Sequence, residues 1–588
     1  MAARVTSTMK ITWDQDWDWA AITHIGRNHE HTSSVWVGAI QALLLALTAL
    51  AVCTRSISAY YGSSKKDPKS DATTVPLLPY WVPILGHLPN LAFMPDKLLR
   101  GARSGFPSGI FALNFGGTTH NIIFSPSLGT ALLGQKPAIA AHEQVSKYMM
   151  NAVFGFPKSQ YVRYDAAVEE ILKAYRLLLS EPYLGQLVAT TASTLKESVR
   201  DWVTGSRSVV DQMLWERNAG AESIISDTGE TTVEASLLTL TRDFIGSVAS
   251  PSLFGTAFVS NNPEFLSDLW TLDSGFLLIA TGLPRWLPIP RLTRAHIARQ
   301  RLLRAIETFE MAMDKDADGQ DVAIKYGDLS DVSQLIRTRV EIYRKHGFNM
   351  RARAACELAL MWATNANANA LVFWMLNRIY ADKAILAMVR EEIEPYVKAV
   401  HPRMEFPIPE PTRLETFDVD ALISKCPLLK SCYIECLRLD CAPWSLKKVE
   451  QDFVLQDRDK NSHGTWLLRK GSYAHVAHDL HSTDQRYFDS PDEWRAYRHI
   501  KLDEKGERSA DMGTIRPYGG GTSMCKGRAF AQRECLMFTA AIVAMWDIEP
   551  ARGGEQWKMP KPKKATGVYA TKDDLRVRIS RRKLPTEL

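Results

Sequence analysis

Cysteine is scarce in this sequence: eight residues in 588, at positions 53, 356, 426, 432, 436, 441, 525 and 535. That excludes a small fold stapled by disulfides. Most of the eight sit in apolar, helix-patterned text, where a reduced thiol behaves as a small hydrophobe. Neither sign of charge prevails, because 71 Lys and Arg against 65 Asp and Glu leave a net charge of only +6, spread along the chain. With no basic stripe, zinc-finger spacing or RNA-recognition signature, nucleic acid is not an expected partner. No segment repeats at a period of roughly 20–50 residues, which argues against solenoids and propellers. Long apolar runs are nearly absent as well. There is one, Val35 to Cys53, reading VWVGAIQALLLALTALAVC.

That run is long enough to cross a bilayer as a helix, which takes ~18 or more apolar residues. A secretory signal would have a shorter apolar core nearer the start, and a buried soluble helix would carry a polar stripe. Arg27 alone lies close before the run, whereas Arg55, Lys65, Lys66 and Lys69 follow it. The positive-inside rule therefore places everything after residue 54 in the cytosol. The expected organisation is a short lumenal segment (1–34), a single-pass anchor (35–54), a basic and proline-rich linker (55–94, with Pro76, Pro79, Pro83 and Pro89) and one large body (95–588). Helical periodicity is clear in 165–180, 190–203, 293–313, 354–380 and 383–398. The apolar text FLLIATGLPRWLP (276–288) reads equally as core or as a second surface dipping into lipid. Short strands and turns follow over 447–500, then an apolar helix over 525–546 and a strand-like alternation in GVYATKDDLRVRISRR. The fold class is mainly α with a small β subdomain.

The chemistry concentrates in RPYGGGTSMCKGRAFA, residues 516–531. Glycines before Cys525 and a glycine two residues after it let backbone approach a flat ligand and turn with positive φ. Amides aimed at the sulfur, and the helix start just downstream, favour thiolate over thiol. A thiolate is the form that ligates iron and donates electron density for O–O cleavage. The bland alternative is a glycine-rich turn before a helix with a buried Cys. A phosphate loop is the other rival, but its Lys-Ser/Thr is missing. A second motif is Glu435 and Arg438 in YIECLRLDCAPW, which share a helix face at i, i+3. Alone, such a pair is usually a solvated one.

Together these segments resemble the cytochrome P-450 superfamily, over about residues 75–580. Tyr518, Gly519, Gly521, Cys525 and Gly527 occupy the positions of that family's cysteine loop. Two departures stand out: Tyr518 replaces the usual Phe, and Ser523 stands where most members carry an Arg or His for a haem propionate. The resemblance implies that Glu435, Arg438 and Arg498, the last in SPDEWRAYRHI, form a buried ion network. In the helix reading AACELALMWATNANANALVFWMLNRIY, Ala366 and Asn367 fall where most members have an acid–threonine proton relay. The text Trp362-Ala363-Thr364-Asn365-Ala366-Asn367 is similar to the branch containing prostacyclin synthase and cholesterol 7α-hydroxylase. By that likeness Lys447 stands where the branch has an Arg near a propionate.

The resemblance implies a haem-thiolate monooxygenase, an oxidoreductase with haem b on Cys525 and electrons from NADPH through NADPH-cytochrome P-450 reductase. The expected substrate is lipophilic, a sterol, terpenoid or other secondary metabolite, including those of fungal biosynthesis. The expected location is the endoplasmic reticulum membrane, with the catalytic domain cytosolic. Asn367 cannot titrate near neutral pH, so it would orient water while protons pass through solvent or Thr364. The substrate pocket is expected within 107–165 and 262–290. Three alternatives remain at this point: a reductase-independent haem-thiolate isomerase or dehydratase, a non-catalytic haem-binding protein, and a zinc site on Cys432, Cys436 and Cys441.

Overall fold

A computed structural model of the chain describes residues 19–225, 231–402, 412–458, 464–551, 556–563 and 567–584. The apolar run lies in a long helix, α1 (Trp19–Gly62), and its part Trp36–Gly62 is long and apolar enough to cross a membrane, with no residue from Trp36 to Cys53 buried against the protein. The helix begins inside the segment expected to be lumenal; residues 1–18 of that segment lie outside the described residues. Its extension has a simple source. Between Trp19 and Val35 the sequence has no proline and a single glycine, so a helix nucleated on the apolar run propagates backwards. At the other end the linker does not swing free. Arg55 Nη1 donates to Pro79 O at 3.0 Å, its guanidinium lies over Trp81, and Tyr80 N donates to Ser58 Oγ.

The body is helical with small sheets at its flanks. Helix α2 (Pro126–Leu133) is capped by Ser125, whose side chain accepts from Leu128 N. Helices α3 (Leu237–Ala249), α4 (Phe265–Ala280) and α5 (Pro290–Ala317) follow, with α4 and α5 packed so closely that Gly275 has no room for a Cβ beside Ala295. The apolar text 276–288 is split between the two readings: Phe276 and Ile279 are buried in the core, whereas Leu277 and Trp286 are 55% and 79% exposed. The expected helix 354–380 is two helices, α6 (Met350–Asn365) and α7 (Ala368–Tyr380). The break has a local cause. Thr364 Oγ1 bonds back to the carbonyls of Leu360 and Met361, both at 3.1 Å, and such back-bonding bends helices.

Helix α8 (Pro427–Leu439) carries the Glu-x-x-Arg pair, and α9 (Arg528–Met545) follows the cysteine loop. Leu536, Met537, Phe538, Ile542 and Val543 of α9 are fully buried, each contributing roughly 1.5–3 kcal/mol of apolar transfer. This is what anchors the loop before it.

The largest sheet has the order β1 (Ile110–Phe115), β2 (Thr118–Ile123), β5 (Tyr473–Ala477), β4 (Trp444–Val449), with the short β3 (Ala140–Ala141) at its edge. Strand β5 runs parallel to β2 and antiparallel to β4, with Lys447 opposite Ala474. Near the C-terminus, Gly567–Val568 pairs antiparallel with Cys441–Ala442 just after α8, and the strand-like text ends in Arg576–Arg581.

Candidate active site

The junction of α6 and α7 carries an anomaly. The earlier turns of α6, from Ala352 to Met361, are almost entirely buried, and α7 is buried from Ala368 onward. Between them Ala363 is exposed and Trp362, Thr364, Ala366 and Asn367 are half-exposed, although the helix runs through the core. Accessible surface in that position faces an internal chamber. The helix that follows the cysteine loop packs on the same region, since Cys535 Sγ of α9 lies 3.7 Å from Ala368 O, at the first residue of α7.

The loop is held in shape from both sides. Cys525 N donates to Tyr518 O at 3.0 Å, closing a turn across the glycines. Gly519 and Gly521 have positive φ, +69° and +63°. A Cβ on Gly521 would lie 2.2 Å from Leu133 O at the end of α2, and one on Gly519 would lie 3.0 Å from Ser445 Oγ of β4. Backbone therefore packs directly on backbone here, which only glycine allows. Burial raises the Cys525 thiol, opposed by the amides of Gly527 and Arg528 and by the Arg528 and Lys526 charges. Those amides are the donors a thiolate needs.

Tyr518, the departure from the usual Phe, has a partner. Its hydroxyl and that of Tyr433, two residues before Glu435, hydrogen-bond inside the core. Tyr518→Phe should destabilise the fold by about 1–3 kcal/mol by leaving Tyr433 unpaired, and Tyr433→Phe in the same chain should recover most of that loss. Denaturant midpoints of the two single variants and the double variant check this.

Lys447 is buried, and among the described residues its ammonium is held only by the carbonyls of Leu133 and Gln135, both at 3.3 Å. Burial lowers its pKa, slightly opposed by the Glu143 charge. Because Leu133 O is also the contact of Gly521, the ammonium lies beside the cysteine loop. A buried cation with no carboxylate bonded to it suits an anionic group such as a haem propionate. Ser523 instead closes the loop, donating to Gly520 O at 3.2 Å.

The ion network is present and larger than expected. Arg438 Nε and Nη2 grip the two oxygens of Glu435, each at 2.8 Å, and Arg498 Nε donates to Oε1 at 2.9 Å. His499 Nε2 meets Oε2 at 2.9 Å and Arg495 N donates to Oε1 at 3.0 Å. His499 was not singled out from the sequence, although it adjoins Arg498.

On the opposite side of the chamber Asn367 Oδ1 accepts from Val568 N at 3.0 Å, and a Cβ on Gly567 would collide with that oxygen. Thr364 gives its hydroxyl to its own helix. Neither group thus stands free as the sequence suggested: the Asn367 oxygen clamps the C-terminal strand, leaving Nδ2 as its available donor. Phe154 and Phe276, one from each expected pocket region, pack with Trp362, whose ring stacks on Phe276 at 4.6 Å between centroids. Among the described residues no group of three His, Cys, Asp or Glu could hold a metal ion, so Cys432, Cys436 and Cys441 do not assemble the zinc site considered above. All three are buried thiols, raised by that burial.

Comparison with known proteins agrees with this geometry. The family model for cytochrome P-450 matches residues 76–575. The chain is 25% identical over 565 residues to the cytochrome P-450 monooxygenase efuG of Hormonema carpetanum, covering 88% of this chain and 92% of that one. It is 22% identical over 486 residues to the cytochrome P-450 monooxygenase poxD of Penicillium oxalicum, covering 82% and 89%. The rat (Rattus norvegicus) 25-hydroxycholesterol 7-alpha-hydroxylase matches at 22% over 308 residues, 51% of this chain and 67% of that protein.

Proposed function

Because the chain belongs to the cytochrome P-450 family, as a monooxygenase of the oxidoreductase class, we propose that it inserts oxygen into a C–H bond of a lipophilic metabolite using electrons relayed from NADPH by a membrane-bound reductase. The observation that carries the reading is the packing of α9, which starts from the glycine-rich Cys525 loop, against the break between α6 and α7, where the helix keeps accessible surface.

Haem b bound there supplies the redox chemistry of oxygen activation. The protein's part is positional. Cys525 Sγ would be the ligand, Gly519, Gly521 and Gly527 would let the loop lie close to the ring, and Lys447 would balance a propionate. The tether between Asn367 and Val568 keeps the helix open at its break and leaves Asn367 Nδ2 to orient water. With Ala366 where most relatives have an acid, protons arrive through water, with the Thr364 hydroxyl as the nearest side-chain relay. Phe154, Phe276 and Trp362 make an apolar wall suited to hydrocarbon.

The Trp36–Gly62 span, followed by basic residues, supports a single-pass anchor in the endoplasmic reticulum membrane with residues beyond it in the cytosol. Similarity to monooxygenases of Hormonema carpetanum and Penicillium oxalicum favours a secondary metabolite as substrate. The test is turnover of full-length holoprotein in vesicles with NADPH-cytochrome P-450 reductase. The expected result is product formed with one dioxygen consumed per turnover, and none when reductase is omitted. Product formed without reductase or dioxygen would establish the isomerase instead.

A further inference from the structure

Two charged side chains sit on the inward faces of the helices around the chamber, and the chemistry described so far uses neither. Asp273 lies on the face of α4 that also carries Leu269, Trp270 and Phe276, all buried. Its Oδ1 accepts from Trp362 Nε1 at 2.8 Å, and no hydrogen bond reaches its Oδ2 from the described residues. Arg242 lies on α3, one turn before Gly246, which abuts Leu266 of α4 and Asn365 of α6. Its guanidinium rests over the Trp270 ring at 4.4 Å.

Arg242 is short of partners. Its Nε is buried without a hydrogen bond, and Asp243 Oδ1 stands 3.6 Å away, beyond good bonding distance. Asp243 is already engaged, with Trp270 Nε1 on Oδ1 and Asn218 Nδ2 on Oδ2, both at 2.7 Å. The two Nη atoms of Arg242 donate to no described residue. Yet its side chain is 27% accessible, and Asp273 is likewise half-exposed on a helix face whose other members are buried. Surface that is accessible but enclosed faces a cavity. At that end of an otherwise aromatic wall the cavity therefore offers donors from Arg242 and an acceptor from Asp273. Hydrogen-bonding atoms of charged groups left without partners in such a place cost free energy until something meets them.

We propose that Arg242 and Asp273 form a binding site for an alcohol of the substrate, its hydroxyl accepting from an Arg242 Nη and donating to Asp273 Oδ2. A hydroxyl is the small group that answers both at once. A carboxylate would meet Arg242 but face Asp273 and Asp243, and an amine would do the reverse. The cation is balanced within the protein by those two acids, so the ligand carries no charge. Burial raises the Asp273 carboxyl, opposed by the Trp362 bond and the Arg242 and Arg291 charges. Anchoring one end of an apolar alcohol fixes which carbon lies over the cysteine loop. This reading rests on the monooxygenase assignment and narrows its substrate class to lipophilic alcohols.

The test titrates full-length holoprotein with cholesterol and farnesol, each beside its deoxygenated hydrocarbon, following the haem absorbance change on binding. At least one alcohol should bind about 10- to 100-fold more tightly than its hydrocarbon, the span expected for hydrogen bonds to charged groups. Asp273→Asn keeps an oxygen for Trp362 but turns the second acceptor into a donor, and Arg242→Met removes the donors. Each should bring the preference down to a few-fold while leaving hydrocarbon affinity unchanged. Equal binding of alcohol and hydrocarbon by the wild type, no response to either alcohol, or a preference surviving both substitutions overturns the proposal. An intact reduced, carbon monoxide-bound spectrum in every variant separates that failure from a failure of the haem-thiolate reading.

Discussion

Replacing Cys525 by Ala should abolish the red-shifted absorption band of the reduced, carbon monoxide-bound protein and its oxygenase activity together. The loss should exceed the roughly 10–100-fold typical of changes to groups that merely support a metal ligand, because the ligand itself is gone. The position is specific for a physical reason. Cys525 is the one cysteine of the body that is exposed where the loop turns, with the Gly527 and Arg528 amides beside its sulfur. Cys535, one helix segment further on, is buried against Ala368 O and has no amide aimed at it. Cys535→Ala should therefore keep the band and lose only packing, by about 1 kcal/mol for a small buried side chain. A band that survives in Cys525→Ala, or vanishes in Cys535→Ala with the fold intact, places the iron elsewhere.

The parts of the site that were legible in the sequence are those written in one stretch of chain. The cysteine loop is one such part, because the glycines, Cys525 and the following helix impose their geometry within a few residues of each other. The Glu435–Arg438 pair is another, one turn apart on a helix, and Arg498 was reachable through its proline and aromatic context. What stayed hidden depends on packing between distant segments. Lys447 could be placed near a propionate by likeness, but its contact with Leu133 O joins residues 314 apart. Asn367 stands where the sequence put it, yet its oxygen is taken by Val568, 201 residues away. The Arg242–Asp273 pair has no motif at all, since nothing in the spacing of α3 and α4 says which faces turn inward. Tyr433 and His499 are intermediate cases. Each adjoins a recognised motif, and a buried tyrosine two residues before Glu435 or a histidine beside Arg498 was signal enough to suspect a partner.

The ion network around Glu435 should be the largest single contributor to stability among the site residues. Glu435→Gln is expected to lower stability by about 3–5 kcal/mol, the cost of leaving buried guanidinium groups without their counter-charge. Arg438 and Arg498 would face a neutral amide whose NH2 group opposes their own donors, while Arg438 still spans the carbonyls of Ser482, Pro491 and Glu493. Those three carbonyls belong to the segment leading into the cysteine loop, so haem retention should fall with the melting temperature. Arg438→Lys should cost nearly as much, because one ammonium cannot reproduce the two-point grip on the carboxylate. The same network fixes the direction of the pH response. Burial would raise the Glu435 carboxyl, but hydrogen bonds from Arg438, His499 and Arg498 hold it at about 2, below the ordinary 4.5. A carboxyl depressed on folding contributes its full stability above the unfolded value and loses it as pH falls through the folded one. Wild-type holoprotein should therefore weaken progressively from about pH 4.5 down towards 2. The difference in unfolding free energy between wild type and Glu435→Gln should narrow over the same interval. A gap that stays constant from pH 6 to pH 3 would mean the carboxyl titrates alike in the folded and the unfolded chain, so that the network does not hold it depressed.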